Sequence, residues 1–358
     1  MRKINKIVFS ILFCLIALQS SSFLFAQKSK TKAKVSIPEW VNAPSSVYPS
    51  SSYLTYIGTG SDRKTAELDA LQGIASVFGQ SIKSETKTSN RITQAKENGL
   101  IANSSLSTID QAMVKNVDID SLIGVEVNNF WFDEVSSWYA IAVLDKAKAT
   151  SIYTDMITKN ISTFKNLYSK VDPKDYSFET YSIYDFAEEI AAENEKHLQK
   201  LSIINYDAAN SIKQQCVSSK DVKLKKTELA KNIPIHVIVE NDDNGRIEES
   251  FHKAISSLGF RGSYDSNVRY LLVSKFSYEQ NESSDKKTIR CKYNGECYIL
   301  DTKEDQQIVP YSVSGRDGHV DYAGAKDKSI KKICQKVSTE YASALDNFLK
   351  EMVVEWKN

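Results

Sequence analysis

Residues 38–148 carry two kinds of hydrophobic spacing, and together these predict a small α+β unit. Apolar residues recur every three or four positions over 62–78, which is typical of an amphipathic helix. Residues 121–135 alternate apolar and polar side chains, which is the period of a half-buried strand. A second strand at 138–144 follows a Ser-Ser turn, so we expect the two strands to pair as an antiparallel hairpin. The other elements predicted here are strands at 53–58 and 81–92 and a helix at 104–116.

The hydrophobic pattern over residues 149–231 predicts a helical connector between two α+β units. Two long helical patterns cover 150–171 and 181–215, and Asp172-Pro173 lies between them. Proline cannot continue a helix, so the first pattern ends there.

Residues 232–358 predict a second α+β domain. Gly259 stands where a glycine closes a helix over 245–258. Asn294-Gly295 is the strongest short-range hairpin signal, so residues 288–301 are expected to fold back on themselves. The other elements are strands at 234–240, 270–278 and 308–314 and a last helix from 323 to 354. The fold class is therefore α+β, with two small antiparallel-sheet-plus-helix domains joined by long helices.

The first 26 residues predict the compartment. A positively charged start precedes an apolar run at 7–18, and Ala26 is a small residue directly before Gln27. This is the pattern of a secretory signal peptide cut between Ala26 and Gln27. The run is shorter than the ~20 residues that a membrane-spanning helix needs. We expect the mature protein to be exported, and to be periplasmic or associated with the outer membrane.

Residues 27–37 predict a flexible leader. Lysine stands at every second position from 28 to 34, and the segment has no apolar face. Such a segment is typically solvated, and its charge would favour an anionic membrane surface by roughly 1 kcal/mol per lysine.

Composition excludes one class of function. The 358-residue chain has 46 Lys and Arg against 45 Asp and Glu, a net charge of +1. A general nucleic-acid binder usually carries a strong basic excess, so we expect no nucleic-acid partner.

Cysteines permit a disulfide in an exported chain. Four of the five lie beyond the signal peptide: Cys216, Cys291, Cys297 and Cys334. If 293–295 forms a three-residue loop, Cys291 lies opposite Cys297 and the two can bond. A two-residue Asn-Gly turn would instead pair Cys291 with Tyr298. We favour the three-residue loop and therefore expect a disulfide between Cys291 and Cys297. With the first arrangement, Cys334 is a buried thiol or the partner of Cys216.

No residue constellation predicts catalysis, a cofactor or a metal. Gly58-Thr59-Gly60 lacks the third glycine of a dinucleotide loop, so we interpret it as a tight strand-to-helix turn. Arg316-Asp317-Gly318-His319 is likewise interpreted as a turn rather than an anion-binding loop. The four histidines lack metal-ligand spacing. His197 falls on an apolar helix face, so we expect it to be a packed core residue. Glu248 and Glu249 diverge as helix neighbours and are expected to be solvated.

One stretch of the chain resembles a known family. The residues that carry the resemblance are Pro38-Glu39-Trp40-Val41, the run from Tyr53 to Ser61, the alanines 66, 70 and 75, and Trp138 to Asp145. They resemble the Lpp-twenty family of small bacterial envelope lipoproteins, over residues 38–148. The resemblance implies a fold shared with the N-terminal part of the flagellar T-ring protein, and a non-enzymatic role in envelope assemblies. This chain departs from the family by lacking the lipidation cysteine, because Cys14 lies inside the apolar run after the bulky Phe13.

The favoured hypothesis is an exported, non-enzymatic envelope protein with a structural or protein-interaction role. Its partners would be envelope proteins or a membrane-surface assembly, and no small-molecule ligand or cofactor is expected. The alternative is a periplasmic ligand-binding or regulatory module that acts on an envelope enzyme.

Overall fold

A computed structural model describes residues 36–78, 123–282 and 288–355. The Ala26/Gln27 cleavage site, the leader up to residue 35 and the elements expected at 81–92 and 104–116 lie outside these ranges.

The chain divides into two units, and the division falls between residues 47 and 48. In the first unit, two short helices are described, α1 (Glu39–Asn42) and α2 (Pro44–Val47). All elements that follow belong to the second unit.

The first sheet has three antiparallel strands in the order β1-β3-β2. These are β1 (Tyr53–Gly60), β2 (Val125–Phe132) and β3 (Trp138–Asp145). Helix α3 (Arg63–Val77) follows β1, and the Asp62 side chain caps it by accepting a hydrogen bond from the Thr65 amide. The helix and the hairpin expected from the pattern are confirmed.

Two glycines let α3 lie directly on β1. A Cβ on Gly58 would stand 2.1 Å from the amide nitrogen of Ala70, and one on Gly60 would stand 2.5 Å from that of Ala66. The turn expected at Gly58-Thr59-Gly60 is therefore misplaced: these residues complete β1, and Gly60 pairs with Trp138. Close approach of the helix backbone explains the glycines.

Four helices follow the first sheet. They are α4 (Lys146–Tyr168), α5 (Phe178–Ile204), α6 (Tyr206–Lys213) and α7 (Ser219–Lys231). The second expected helix is thus broken at Asn205, whose side chain accepts a hydrogen bond from the Ala208 amide and caps α6. Helix α7 was not expected, because lysines dominate it and few of its side chains are buried.

The second sheet has five strands in the order β5-β4-β6-β7-β8. They are β4 (Pro234–Glu240), β5 (Arg261–Ser263), β6 (Tyr270–Glu282), β7 (Ile289–Asp301) and β8 (Gln306–His319). Helix α8 (Arg246–Ser257) connects β4 to β5. The α+β class is confirmed, but this sheet is mixed, because β4 runs parallel to both β5 and β6.

The hairpin expected at Asn294-Gly295 is wrong. Both residues lie in the middle of β7, where Asn294 pairs with Ser277 and Gly295 pairs with Phe276. A Cβ on Gly295 would stand 2.3 Å from a ring carbon of Phe276. The glycine therefore makes room for a buried aromatic ring, and no turn is formed.

The disulfide expected between Cys291 and Cys297 loses its basis with the hairpin. Both residues lie on β7, six positions apart, and at ~3.3 Å per residue their Cα atoms are about 20 Å from each other. A disulfide needs Cα atoms within about 7 Å. Both thiols are free and buried, and Cys216 and Cys334 are also free.

The turn expected at 316–319 is also wrong. These residues form the end of β8 and pair with residues 289–292 of β7. The polar and charged composition of this segment fits an edge strand as well as it fits a turn.

The chain ends in a long helix with one irregular turn. Helix α9 (Tyr322–Lys336) passes through a π-helical segment (Val337–Tyr341) into α10 (Ala342–Glu355). Tyr341 of that segment is fully buried. None of the described helices is long and apolar enough to cross a membrane.

Two hydrophobic cores share helix α5. The first core packs under the first sheet and includes Tyr153 and Ile157 of α4 and Leu201 and Ile204 of α5. The second core lies between the second sheet and its helices, and residues from the start of α5 such as Phe186 belong to it. The domain boundaries expected at 148 and 231 stay predictions.

Candidate functional site

A cluster of charged and aromatic groups surrounds Arg269, directly before β6. Its Nε and Nη2 donate to the Asp301 carboxylate at 2.7–3.1 Å, and Nη2 also donates to Glu179 Oε1 at 3.1 Å. The Asp301 side chain is 5% exposed. Arg269 thus joins the last residue of β7 to the first turn of α5.

Tyr270 fixes the start of α5 from the next position. Its hydroxyl accepts a hydrogen bond from the Phe178 amide at 2.9 Å and donates to Glu179 Oε2 at 3.4 Å. The rings of Phe178 and Tyr270 are stacked with centroids 3.8 Å apart. A helix leaves its first amides without intrahelical partners, and the tyrosine satisfies one of them.

The pKa values in this cluster follow from burial and pairing. Burial raises the pKa of Tyr270, and the negative charge of Glu179 adds to the effect. Burial works to raise the pKa of Asp301, but the hydrogen bonds from Arg269 and the Lys303 amide, together with the positive charge of Arg269, outweigh it and hold that pKa below its usual value. The Asp301 carboxylate is therefore held in its charged form.

A cleft of about 250 Å³ opens beside this cluster. Besides Arg269 and Glu179, the charged residues that line it are Lys170, Asp172, Asp175, Lys303 and Glu304. Asp175 is engaged at the start of α5, where it accepts hydrogen bonds from Ser177 Oγ at 2.6 Å and Thr180 Oγ1 at 3.0 Å. Arg269, Asp301, Glu179 and Asp175 all bond to groups of the same chain, so this arrangement can hold helix and sheet together.

A second polar cluster lies within α5. Glu193, Asn194, His197 and Lys200 are each at most 6% exposed. His197 Nε2 lies 3.4 Å from Glu193 Oε1. Burial, with the nearby charges of Lys200 and Lys196, lowers the pKa of His197 to about 3. The imidazole is neutral at physiological pH, and the expected core position of His197 is confirmed.

A buried ion-pair group joins α5 to α7. Lys226 Nζ lies 2.9 Å from Asp185 Oδ1 and 2.5 Å from Glu188 Oε2. This ion-pair group holds α7, the helix that the sequence did not predict, against α5.

The other sequence candidates lie apart from the cleft. Glu248 and Glu249 are on α8, beside His252 and Lys253 four residues on, as partly exposed i,i+4 pairs. Within the described ranges, no group of three or more His, Cys, Asp or Glu side chains could hold a metal ion.

Sequence reasoning missed the Arg269 cluster. Its members come from α5, the residue before β6 and the last residue of β7, and they are up to 122 positions apart (Asp301 against Glu179). No spacing rule connects them, and only the fold brings them together.

Comparison with known proteins gives one family. Residues 38–145 match the model of the LPP20 lipoprotein family. None of the curated proteins compared with the chain matches it.

Two solved structures are similar to parts of the fold. A minor lipoprotein from Acinetobacter baumannii is 10% identical, with 34% of this chain and 90% of that chain covered and a TM-score of 0.22. The secreted protein HP1454 from Helicobacter pylori is 14% identical, with 81% and 97% covered and a TM-score of 0.37. At these low TM-scores neither similarity carries a functional argument.

Proposed function

We propose that this chain is an exported protein of the bacterial cell envelope with a non-enzymatic, structural or protein-interaction role. The match of residues 38–145 to the LPP20 lipoprotein family is the observation that carries the proposal. The signal-peptide pattern at 1–26 supports export on independent grounds.

The Arg269 cluster supports an architectural role for the C-terminal part. Ligand pockets usually measure ~300–1,000 Å³ and are lined mainly by apolar groups. The cleft here is about 250 Å³, and charged side chains dominate its lining. Arg269 and Glu179, which both line the cleft, bond to each other. This pairing fits a link between helix and sheet better than a ligand-binding or regulatory module.

Fractionation of cells that express the full chain tests the location. We expect the protein in the envelope fractions or the periplasm, with an N-terminus at Gln27 by intact mass. Leu12→Arg, which places a charge inside the apolar run of the signal peptide, is the control and should leave the protein in the cytoplasm. Recovery of the unaltered chain in the cytoplasm with its N-terminus intact would refute the proposal.

Cross-linking in intact cells tests the interaction role. A short amine-reactive cross-linker should give discrete species larger than the monomer in the envelope fraction. The same treatment of cells that express the Leu12→Arg variant is the control, since the retained chain should not form these species. Finding only the monomer in both strains would contradict a protein-interaction role.

A further inference from the structure

The lysines of helix α7 fall into two groups, those that bond to neighbouring helices and those that are exposed. Lys226 is held by the carboxylates of α5 described above, and Lys225 Nζ donates to Tyr168 Oη at 2.7 Å. Lys220, Lys223 and Lys231 are exposed, and in the described ranges their ammonium groups have no ion-pair or hydrogen-bond partner. Three of the five lysines of α7 therefore make no ion pair or hydrogen bond that would stabilise the described part of the fold.

These three lysines lie on one side of the helix around an exposed leucine. At 3.6 residues per turn, Lys220, Lys223, Leu224 and Lys231 fall within about 100° of the helix circumference. Leu224 is 60% exposed, although Val222 and Leu229 on the other side are buried. We call these four residues the α7 stripe.

The acidic residues of α7 lie beside the stripe. Asp221 and Glu228 both fall on the flank beyond Leu224, and the opposite flank, towards Lys223, carries no carboxylate of this helix. The stripe itself contains no acidic residue, so its local charge is positive although the whole chain is nearly neutral.

We propose that the α7 stripe docks on the surface of an anionic phospholipid bilayer. Unpaired lysines near such a surface are attracted by its negative potential, and their long side chains can reach the headgroups while Leu224 enters the interface. A soluble polyanion would match the charges but would leave the leucine in water. The inference adds a partner surface to the proposed envelope location.

Vesicle co-sedimentation with the mature chain tests the proposal. The probes are phosphatidylcholine vesicles with and without phosphatidylglycerol, at low and high salt. We expect binding only with phosphatidylglycerol, weakening as salt shortens the Debye length. The triple variant Lys220→Glu, Lys223→Glu, Lys231→Glu should bind at least about tenfold more weakly. Leu224→Ser should weaken binding roughly threefold or more, because a partly exposed leucine no longer enters the interface.

A matched control separates the stripe from net charge. Lys253→Glu, Lys275→Glu, Lys331→Glu makes the same change in charge at exposed positions outside α7. All variants keep the lysines at 28–34, so the contribution of the leader is constant, and circular dichroism confirms that each variant is folded. The proposal would be overturned if the control variant lost as much vesicle binding as the stripe variant, or if the stripe variant lost none. Because the assay uses purified protein and defined lipid, its failure would leave the fractionation result unaffected.

Discussion

Single residues decide how closely the elements of this protein approach one another. Gly58 and Gly60 allow α3 to contact the backbone of β1, and Gly295 admits the ring of Phe276. Arg269 acts in the opposite way, since its Nε and Nη2 donate hydrogen bonds to Asp301 and Glu179 and so join three segments. Both kinds of residue are specified by their neighbours in space.

We expect Gly58→Ala to lower the free energy of unfolding by about 1–3 kcal/mol, which is the usual cost of overpacking. The added methyl would meet backbone atoms of Ala66 and Ala70, which cannot rotate away. Urea denaturation measures the change. Thr59→Ala, at the exposed neighbouring position, is the control and should change stability by no more than about 0.5 kcal/mol. Equal stability of Gly58→Ala and the wild type would contradict the close packing of α3 on β1.

We expect Arg269→Leu to destabilise the protein by about 3–5 kcal/mol, because it leaves the buried Asp301 carboxylate without its partner. The double variant Arg269→Leu, Asp301→Leu should recover part of the loss, since it removes the unpaired charge as well. Thermal or urea denaturation of the two variants provides the comparison. If the double variant is less stable than the single one, the loss is not due to an uncompensated charge.

The ion pair between Arg269 and Asp301 should also make the stability of the protein depend on pH. The pKa of Asp301 is lower in the folded state than in the unfolded chain, so the pair stabilises the protein fully above the unfolded value of about 3.9. That contribution is lost as pH falls through the folded pKa. Stability measured from pH 7 down to about pH 3 should therefore fall more steeply in the wild type than in Arg269→Leu, Asp301→Leu. Parallel curves would show that the pair does not titrate with folding.

At the scale of elements, β7 shows how a strong local signal loses to a longer pattern. Asn-Gly favours a hairpin, but Cys291, Tyr293, Gly295, Cys297 and Ile299 are all buried at alternate positions through that dipeptide. The alternation spans the whole strand, and both neighbours, β6 and β8, pair with it. Hydrogen bonding on two sides and one buried face outweigh the preference of two residues for a turn.

We expect no disulfide between Cys291 and Cys297. Non-reducing peptide mapping after alkylation of the unfolded protein should find both thiols modified, because one strand holds them about 20 Å apart. Thiol-blocked and reduced samples serve as the two references. A Cys291–Cys297 peptide would show that residues 289–301 fold back after all.

At the scale of the whole molecule, α5 connects the two cores. Its first half packs with the second sheet, and Leu201 and Ile204 near its end pack with the first. The helices between the sheets therefore contribute hydrophobic surface to both cores, in addition to the connector role that the helical patterns over 149–231 predicted.

We expect a fragment of residues 38–148 to be much less stable than one of residues 38–216. The shorter fragment lacks Tyr153, Ile157, Leu201 and Ile204, each at most 5% exposed in the intact protein. Losing the burial of one large apolar side chain costs about 1.5–3 kcal/mol, so four of them approach the total stability of a small domain. Thermal melting by circular dichroism compares the fragments, and equal melting temperatures would confine the first core to residues 38–148.

The sequence by itself determined the elements whose hydrophobic period is long and uninterrupted. Helix α3, the β2–β3 hairpin, strand β4 and the final helix follow from repeated local spacing, because a face that must be buried imposes its period on the chain. The resemblance to the lipoprotein family was likewise visible in the sequence, and the match of residues 38–145 to the family model confirms it.

Only the tertiary structure decided the rest. The path of β7 through Asn294-Gly295, the parallel pairing of β4 and the Arg269 cluster depend on residues far apart in the chain. Helix α7 is held mainly by its contacts with α5, and its own sequence gives it a weak apolar face. Such features depend on which partners the fold supplies, and local preference cannot specify a partner that is 40 or 120 residues away.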